Sequence, residues 1–207
     1  MTTSNKVVII DYGMGNLDSI SRAMQEVGAS VLVSSSPSDL ASAERIILPG
    51  VGAFSAGMEN LSQSGFVPVL REAVLDKKIP FLGICLGMQL LADEGTEGGL
   101  NPGLGFISGR VEILLSYTDE RIPHIGWNSV EVVRESPLFT GISSGKDFYF
   151  VHSFHLRCQN QEEVIGNTEY AGGFCAAVQK ENIFGVQFHP EKSQKVGFQL
   201  LRNFLSL

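Results

Sequence analysis

Short apolar runs alternate with amphipathic segments along the first half of the chain. The runs that predict strands are 6–11, 30–34, 45–48 and 79–84. The segments that predict helices are 16–28, 56–61, 67–76 and 86–92. Strands that alternate with helices in this way are typical of a parallel sheet covered by helices on both faces.

The second half of the chain is richer in strand. Strands are predicted there at 109–115, 129–133, 147–151, 174–179 and 183–188, and a helix at 195–205. A glycine-rich segment, 94–105, is predicted to be a loop beside the helix that starts at residue 86, where it could line a pocket. Because no repeat, linker or low-complexity segment interrupts the pattern, we expect one α/β domain over residues 1–207, with a mixed, mostly parallel central sheet flanked by helices.

Composition and charge narrow the class of protein. The net charge of −7 over 207 residues, with no Lys/Arg cluster, argues against a nucleic-acid or membrane-surface partner. Three cysteines, an odd number without the spacing of a disulfide framework, predict a reducing compartment. The N-terminus runs directly into a strand without a signal sequence, and no apolar run approaches the roughly 18 residues that span a membrane. These features predict a soluble, cytoplasmic protein.

Cys85 stands at the predicted junction between a buried strand and a helix. Residues 83–87 read G-x-C-x-G, the thiol counterpart of the G-x-S-x-G nucleophile elbow. Glycines at these positions let strand and helix approach closely, and the helix N-terminus stabilises a thiolate. A lone buried cysteine is more often inert, so this interpretation requires a base elsewhere in the chain.

His189 and Glu191 supply a candidate base and its orienting acid at the end of the strand predicted at 183–188. We expect Pro190 to hold the segment extended, so that both side chains project to the same side. An imidazole paired with a carboxylate is the combination that activates a thiol nucleophile. Three further histidines lack a nearby acid or lie in an aromatic strand where packing is the default role: His124, His152 and His155.

A glycine-rich turn over 48–54, which reads L-P-G-V-G-A-F, follows another predicted strand. Its backbone N–H groups could form half of an oxyanion hole, and the N–H of Leu86 the other half, although such a sequence is first of all a turn. The D-Y-G-M-G-N segment at 11–16 lacks the third glycine of a dinucleotide-binding fingerprint. Since Walker A, H-E-x-x-H and C-x-x-C motifs do not occur in the sequence, we expect no cofactor and no metal.

Taken together, these motifs resemble the class I (triad-type) glutamine amidotransferases over essentially the whole chain. The similarity is greatest to the glutaminase subunits of imidazole glycerol phosphate synthases. It rests on the segments at 11–16, 48–54, 85–89, 124–128, 149–153 and 189–193.

The resemblance implies a role for each matching residue. Cys85, His189 and Glu191 would form a catalytic triad, and Gly52 and Leu86 would donate to the oxyanion. The side chains implied to bind glutamine are those of Gln89, Glu97 and Ser153. The residues implied to contact a protein partner are Asn16, Trp127, Tyr149 and Lys192.

The resemblance also implies that ammonia released from L-glutamine passes to a (β/α)8-barrel synthase or cyclase subunit in a heterodimer of histidine biosynthesis. Three alternatives stay open at the level of sequence. A paralogous subunit would feed ammonia to a sugar amidotransferase of surface-polysaccharide synthesis. The others are a cysteine peptidase-like hydrolase and a binding subunit without activity.

Overall fold

The computed structural model describes residues 5–116 and 119–207. Its strands are β1 (Lys6–Ile10), β2 (Ser30–Ser34), β3 (Arg45–Gly50), β4 (Phe81–Cys85), β5 (Glu94–Gly95), β6 (Asn101–Pro102), β7 (Gly109–Ile113), β8 (His124–Val132), β9 (Lys146–His152), β10 (Phe154–Cys158), β11 (Val164–Thr168), β12 (Phe174–Lys180) and β13 (Ile183–Val186). The α-helices are α1 (Leu17–Glu26), α2 (Phe54–Gln63), α3 (Phe66–Arg71), α4 (Leu86–Gln89) and α5 (Gln194–Leu205). A π-helical turn, Glu72–Asp76, extends α3.

The central sheet has nine strands in the order β2-β1-β3-β4-β13-β12-β11-β8-β9. The five strands from β2 to β13 are parallel, and the remaining pairings are antiparallel. A second sheet, in the order β10-β7-β5-β6, accompanies it. The structure therefore confirms an α/β fold with a mixed sheet, whose parallel half comes mainly from the first half of the chain. The expected excess of parallel pairing is not found, because parallel and antiparallel pairings are equally numerous in the central sheet.

Helices cover both faces of the parallel strands. Side chains of β1 alternate between the faces: Val8 and Ile10 pack into the cluster that contains α2, α3 and α4 residues, whereas Val7 and Ile9 pack into the cluster that contains residues of α1 and α5. Burial on both faces explains why the parallel strands are continuous apolar runs in the sequence. Within the described part of the chain, no helix has the length and apolar character needed to cross a membrane.

The antiparallel half differs most from the sequence prediction. Strand β8 begins at His124, five residues before the predicted start at 129, because the whole segment pairs with β9 from His124↔His152 to Val130↔Lys146. Strands β10 and β11 were not predicted, since polar residues and a glycine interrupt their apolar pattern. The short strands β5 and β6 lie inside the segment predicted to be a loop.

Helix α4 is shorter than the predicted 86–92 and ends at Gln89. The N–H groups of Leu91 and Ala92 donate to carbonyls three residues back, those of Met88 and Gln89, so the α-helical pattern is not continued. The next carbonyl groups accept from the glycine-rich segment. Leu104 N donates to the carbonyl of Leu90, Phe106 N to that of Leu91 and Gly105 N to that of Ala92, at 2.8–3.0 Å. This segment therefore packs against the residues that follow α4.

Candidate active site

Cys85 is the last residue of β4 and immediately precedes α4, as the sequence predicts for a nucleophile elbow. Its backbone has φ 56° and ψ −111°, a conformation that a residue with a side chain rarely adopts and that costs about 1–3 kcal/mol. The two flanking glycines are sterically required. A Cβ on Gly87 would overlap the carbonyl oxygen of Leu48, and one on Gly83 would overlap that of Gly87.

The Cys85 side chain is 6% exposed and borders a cavity of about 370 Å³, which we call the Cys85 cavity. Its Sγ accepts a hydrogen bond from Nε2 of Gln187 at 3.7 Å and lies 3.9 Å from the carbonyl oxygen of Val151. The cavity is lined by residues of five chain segments: 51–53, 85–89, Glu97, Pro123 and 151–154. It opens a path from the exterior to the sulfur.

His189 and Glu191 are hydrogen-bonded, with Nδ1 of the imidazole 2.8 Å from Oε1 of the carboxylate, and both side chains are 3% exposed. The expectation of an extended segment is wrong, because Pro190–Lys192 forms a 3-10 turn. The Ser193 hydroxyl stabilises this turn by donating to the carbonyl of His189 at 2.6 Å. The turn, rather than an extended proline segment, brings imidazole and carboxylate together.

The electrostatics of His189 favour its charged form. Burial lowers the pKa of His189, but the Cys85 thiolate and the Glu191 carboxylate outweigh that effect and raise the pKa to about 10. Nε2 of His189 makes no hydrogen bond of ordinary geometry among the described residues, even though Cys85 is close enough to act on the pKa. The raised pKa therefore favours the imidazolium form of His189 at neutral pH.

The glycine-rich turn lies directly beside the nucleophile. Gly50 of β3 is the register partner of Cys85 in β4, and the following residues, 51–53, line the Cys85 cavity together with Leu86. Gly52 has φ +108°, which strongly favours glycine at this position. Behind the turn, the buried hydroxyl of Tyr12 packs so closely on Gly50 that a Cβ there would overlap it.

The three residues predicted to bind glutamine all line the Cys85 cavity: Gln89, Glu97 and Ser153. Nε2 of Gln89 donates to the carbonyl of Phe154 at 2.8 Å and to Oε1 of Gln187 at 3.1 Å. Since both amide protons of Gln89 are used, its Oε1 is the atom left to accept from a ligand. Glu97 accepts from the backbone N–H of Phe54 at 3.0 Å, which fixes its carboxylate at the start of α2.

Two histidines form a buried hydrogen-bonded pair behind the cavity. Nδ1 of His124 lies 3.1 Å from Nε2 of His152, and Nδ1 of His152 lies 2.9 Å from the carbonyl oxygen of Phe154. Because a carbonyl only accepts, His152 donates to Phe154 and in turn accepts from His124. Burial lowers the pKa of His124 to about 4 and that of His152 to about 3, so both are neutral at pH 7.

Three of the four residues predicted to contact a partner form one surface cluster. Trp127 and Tyr149 are register partners across β8 and β9, and their ring centroids are 5.7 Å apart. Nζ of Lys192 lies 5.6 Å from the centroid of the Tyr149 ring. Asn16, the fourth, caps α1 and lines a small cleft that also contains Val51 and Glu191.

A larger cavity, of about 750 Å³, lies elsewhere. Its lining includes Cys158 and Cys175, whose Sγ atoms are 3.9 Å apart, and His155. It does not combine a thiol with a hydrogen-bonded imidazole and carboxylate, so the smaller Cys85 cavity is the better candidate active site.

Sequence reasoning missed two buried side chains of the site, Gln187 and His152. Gln187 is a polar residue inside the apolar run 184–188, and this interruption is the signal that could have singled it out. The aromatic neighbours of His152 predict a packing role, yet it lines the Cys85 cavity.

Comparison with known proteins identifies relatives over the whole chain. The family model for class I glutamine amidotransferases matches residues 8–206. Imidazole glycerol phosphate synthase subunit HisH 1 of Campylobacter jejuni strain RM1221 is 47% identical over 201 residues, which are 97% of this chain and 100% of the relative. The HisH subunit of Moorella thermoacetica is 47% identical over 198 residues, which are 96% and 93% of the two chains.

Solved structures share the fold at low sequence identity. The structure of PurLQS from Thermotoga maritima aligns with a TM-score of 0.76 at 19% identity, covering 97% of both chains. A crystal structure of a glutamine amidotransferase aligns with a TM-score of 0.75 at 20% identity, covering 96% of this chain and 97% of the other. These two likenesses concern the fold alone.

Proposed function

Because the chain belongs to the class I glutamine amidotransferases, we propose that it hydrolyses L-glutamine at Cys85 as the glutaminase subunit of an imidazole glycerol phosphate synthase. The observation that carries the proposal is the arrangement of Cys85 on an elbow, at a cavity, beside the hydrogen-bonded pair His189 and Glu191. The names of relatives at 47% identity support the pathway.

The proposed reaction begins when the Cys85 thiolate attacks the side-chain amide carbon of glutamine. As the tetrahedral intermediate collapses, the C–N bond breaks and His189 gives its Nε2 proton to the departing ammonia. The neutral imidazole then takes a proton from water, which attacks the glutamyl thioester and releases glutamate. Glu191 accepts from Nδ1 throughout, so that Nε2 always faces the reacting atoms.

Two backbone N–H groups, of Gly52 and Leu86, are proposed to stabilise the oxyanion of the tetrahedral intermediate. Both residues line the Cys85 cavity, and losing one such donor typically costs on the order of a hundredfold or more in rate. Gln89, Glu97 and Ser153 would hold the α-ammonium and α-carboxylate groups of glutamine. Glu97 suits the ammonium group because a carboxylate accepts hydrogen bonds from an ammonium group, and Glu97 lines the same cavity.

Hydrolysis alone would release the ammonia without an acceptor. The proposed partner is a (β/α)8-barrel synthase subunit, which receives ammonia in a heterodimer. The surface that would meet it comprises Asn16, Trp127, Tyr149 and Lys192, near the turn that carries His189. We further propose that residues 1–207 form one domain, located in the cytoplasm, that works without a cofactor.

The experiment that tests this function measures glutamate release and ammonia transfer separately. The chain is assayed with glutamine alone and with a cyclase subunit of imidazole glycerol phosphate synthase, and Cys85→Ala serves as the variant. We expect glutamine-dependent product formation only with Cys85 present, and restored product formation in Cys85→Ala when ammonium salt replaces glutamine. Glutamine hydrolysis by Cys85→Ala would overturn the proposal. So would failure of the chain to support synthesis with that cyclase subunit.

A further inference from the structure

Gln187 is fully buried, lies just after β13 and precedes His189 by two residues. Its side-chain amide spans the gap between two site residues: Nε2 lies 3.7 Å from Sγ of Cys85, and Oε1 lies 3.1 Å from Nε2 of Gln89. We propose that the Gln187 amide is a hydrogen-bond donor that holds the Cys85 sulfur in place and stabilises its thiolate. The inference rests on the proposed function in that it takes Cys85 as the nucleophile.

The orientation of the Gln187 amide follows from its neighbours. The carbonyl oxygen of Phe154 only accepts, so the Gln89 group that contacts it at 2.8 Å must be the NH2 group. That NH2 group also contacts Gln187, which therefore presents its oxygen to Gln89 and its own NH2 group to Cys85. A flipped Gln187 amide would place two donors against each other.

The Gln187 donor gains importance when the thiol ionises. In the thiol form, the S–H of Cys85 can point at the Val151 carbonyl oxygen, 3.9 Å away. The thiolate has no proton to donate and can only accept. A hydrogen bond to a charged acceptor is stronger than one to a neutral acceptor, so Gln187 favours the thiolate over the thiol.

The same amide contributes to the binding of substrate. Gln187 accepts a hydrogen bond from the NH2 group of Gln89, which borders the cavity. This contact fixes the orientation of the Gln89 amide and leaves the Oε1 atom of Gln89 available to a ligand. Loss of Gln187 would leave a buried proton of Gln89 without its partner, which is costly in a low-dielectric interior. Nucleophile and substrate pocket are therefore linked through one side chain.

The test must separate an effect on the ionisation of the Cys85 sulfur from an effect on folding. The titratable groups that face Cys85 or border its cavity are Tyr12, Glu97, His152 and His189, and a fifth group, Glu191, is hydrogen-bonded to His189. An amide does not titrate, so Gln187→Met removes one donor from Cys85 while all five groups stay in place. Methionine has nearly the same length and an unbranched, adaptable side chain. Gln179→Met on β12 is the matched control, because its amide does not contact Cys85 in the structure.

Alkylation of Cys85 by iodoacetamide, followed by mass spectrometry as a function of pH, reports the thiolate without requiring glutamine to bind. In Gln187→Met we expect the pH midpoint to rise by about one unit, and the rate at pH 7 to fall roughly tenfold, as for loss of one charge-assisted hydrogen bond. We expect kcat for glutamine to fall more than KM rises. The Gln179→Met control should match the wild type in both assays.

An unchanged pH midpoint in Gln187→Met would overturn the inference, even if activity were lost, because only packing would then have changed. If Gln187→Met does not fold, as judged by urea unfolding, Gln187→Glu provides the second variant. It keeps an oxygen for Gln89 but presents a carboxylate to the sulfur, so the midpoint should rise further. Failure of the proposed function would appear differently, as glutamine hydrolysis by Cys85→Ala.

Discussion

Gly50 and Cys85 occupy the same register level of two neighbouring parallel strands, β3 and β4. The turn that follows Gly50 and the elbow at Cys85 therefore leave the sheet at the same edge, where parallel strands commonly build their sites. This pairing explains why two motifs separated by more than thirty residues in the sequence border one cavity. It also makes the site depend on close packing between β3 and α4.

Replacement of Gly87 by alanine should destabilise the protein. The added Cβ would overlap the carbonyl oxygen of Leu48, and backbone atoms of β3 must move to accommodate it. Overpacking of this kind costs about 1–3 kcal/mol in free energy of unfolding, measurable by urea denaturation. Gly15→Ala is the control, since its Cβ would meet Pro49 at an ordinary 3.5 Å. Equal stability of the two variants would show that β3 and α4 can move apart at little cost in free energy.

Loss of His189 should abolish glutamine hydrolysis, whereas loss of His155 should not. His189→Asn removes the imidazole beside Cys85 and its bond to Glu191, and members of such a triad act as a unit. His155 lines the larger cavity and serves as the control as His155→Asn. Steady-state rates of glutamate formation measure the effect. An active His189→Asn with an inactive His155→Asn would show that the base is misassigned.

Glu191→Gln should move the basic limit of activity to lower pH. In the native site, the Cys85 thiolate and the Glu191 carboxylate raise the pKa of His189 to about 10, against the effect of burial. Removing the carboxylate charge lowers that pKa, so His189 loses its proton at a lower pH and protonates the departing ammonia less effectively. The pH profile of kcat/KM measures this shift. The loss of rate should be smaller than in His189→Asn, and an unshifted basic limb would contradict the assigned role of Glu191.

Acid should destabilise the fold through the buried histidine pair. His152 has its pKa lowered by burial to about 3, so the unfolded chain binds a proton near pH 6.5 while the folded chain does not. The neutral His152 therefore contributes fully to the free energy of unfolding above pH 6.5. This contribution is lost as the pH falls toward 3, and the loss between pH 7 and pH 5 is about 2 kcal/mol. His189 has the opposite sign, because its raised pKa adds stability that is lost as the pH rises from 6.5 toward 10.

Urea unfolding at pH 7 and pH 5 checks the assignment to His152. His152→Asn should lose less stability between these two pH values than the wild type, whatever its stability at pH 7. An identical loss in both proteins would place the acid sensitivity elsewhere.

Lys192→Glu should weaken association with the synthase partner and leave the isolated chain nearly as stable as before. Lys192 is exposed, and its contact with the Tyr149 ring contributes only about 0.5–1 kcal/mol at such a site. Reversal of a charge at an interface mainly slows association and changes its salt dependence. Titration calorimetry against the partner measures the affinity. Lys78→Glu, at the opposite end of β4, should bind like the wild type, and unchanged affinity of Lys192→Glu would exclude Lys192 from the contact.

The sequence was most informative where one physical rule dominates. Burial on both faces makes the parallel strands continuous apolar runs, and β2 was predicted with its observed bounds, 30–34. The elbow was predictable because a strand that turns directly into a helix needs glycines at positions 83 and 87. In the antiparallel half, half-exposed strands such as β10 carry polar residues, and their pairing depends on partners distant in the sequence.

The sequence predicts most residues of the site, but it predicts their relative geometry less well. Proline restricts its own φ, yet it also starts helical turns well, and the hydrogen bonds of Ser193 favour the 3-10 turn over an extended segment at 190–192. Gln187 stands out as polar within an apolar run, but the sequence does not show which atom it contacts.

Tyr149 divides two tasks between its backbone and its side chain. Its carbonyl accepts from the N–H of His189 at 2.8 Å, and its N–H donates to the Ser193 hydroxyl at 3.0 Å, while its ring lies at the surface between Trp127 and Lys192. Any amino acid other than proline supplies the same two backbone groups. The side chain at position 149, on the surface proposed to meet a partner, can therefore change while the backbone contacts that hold His189 and Ser193 stay in place.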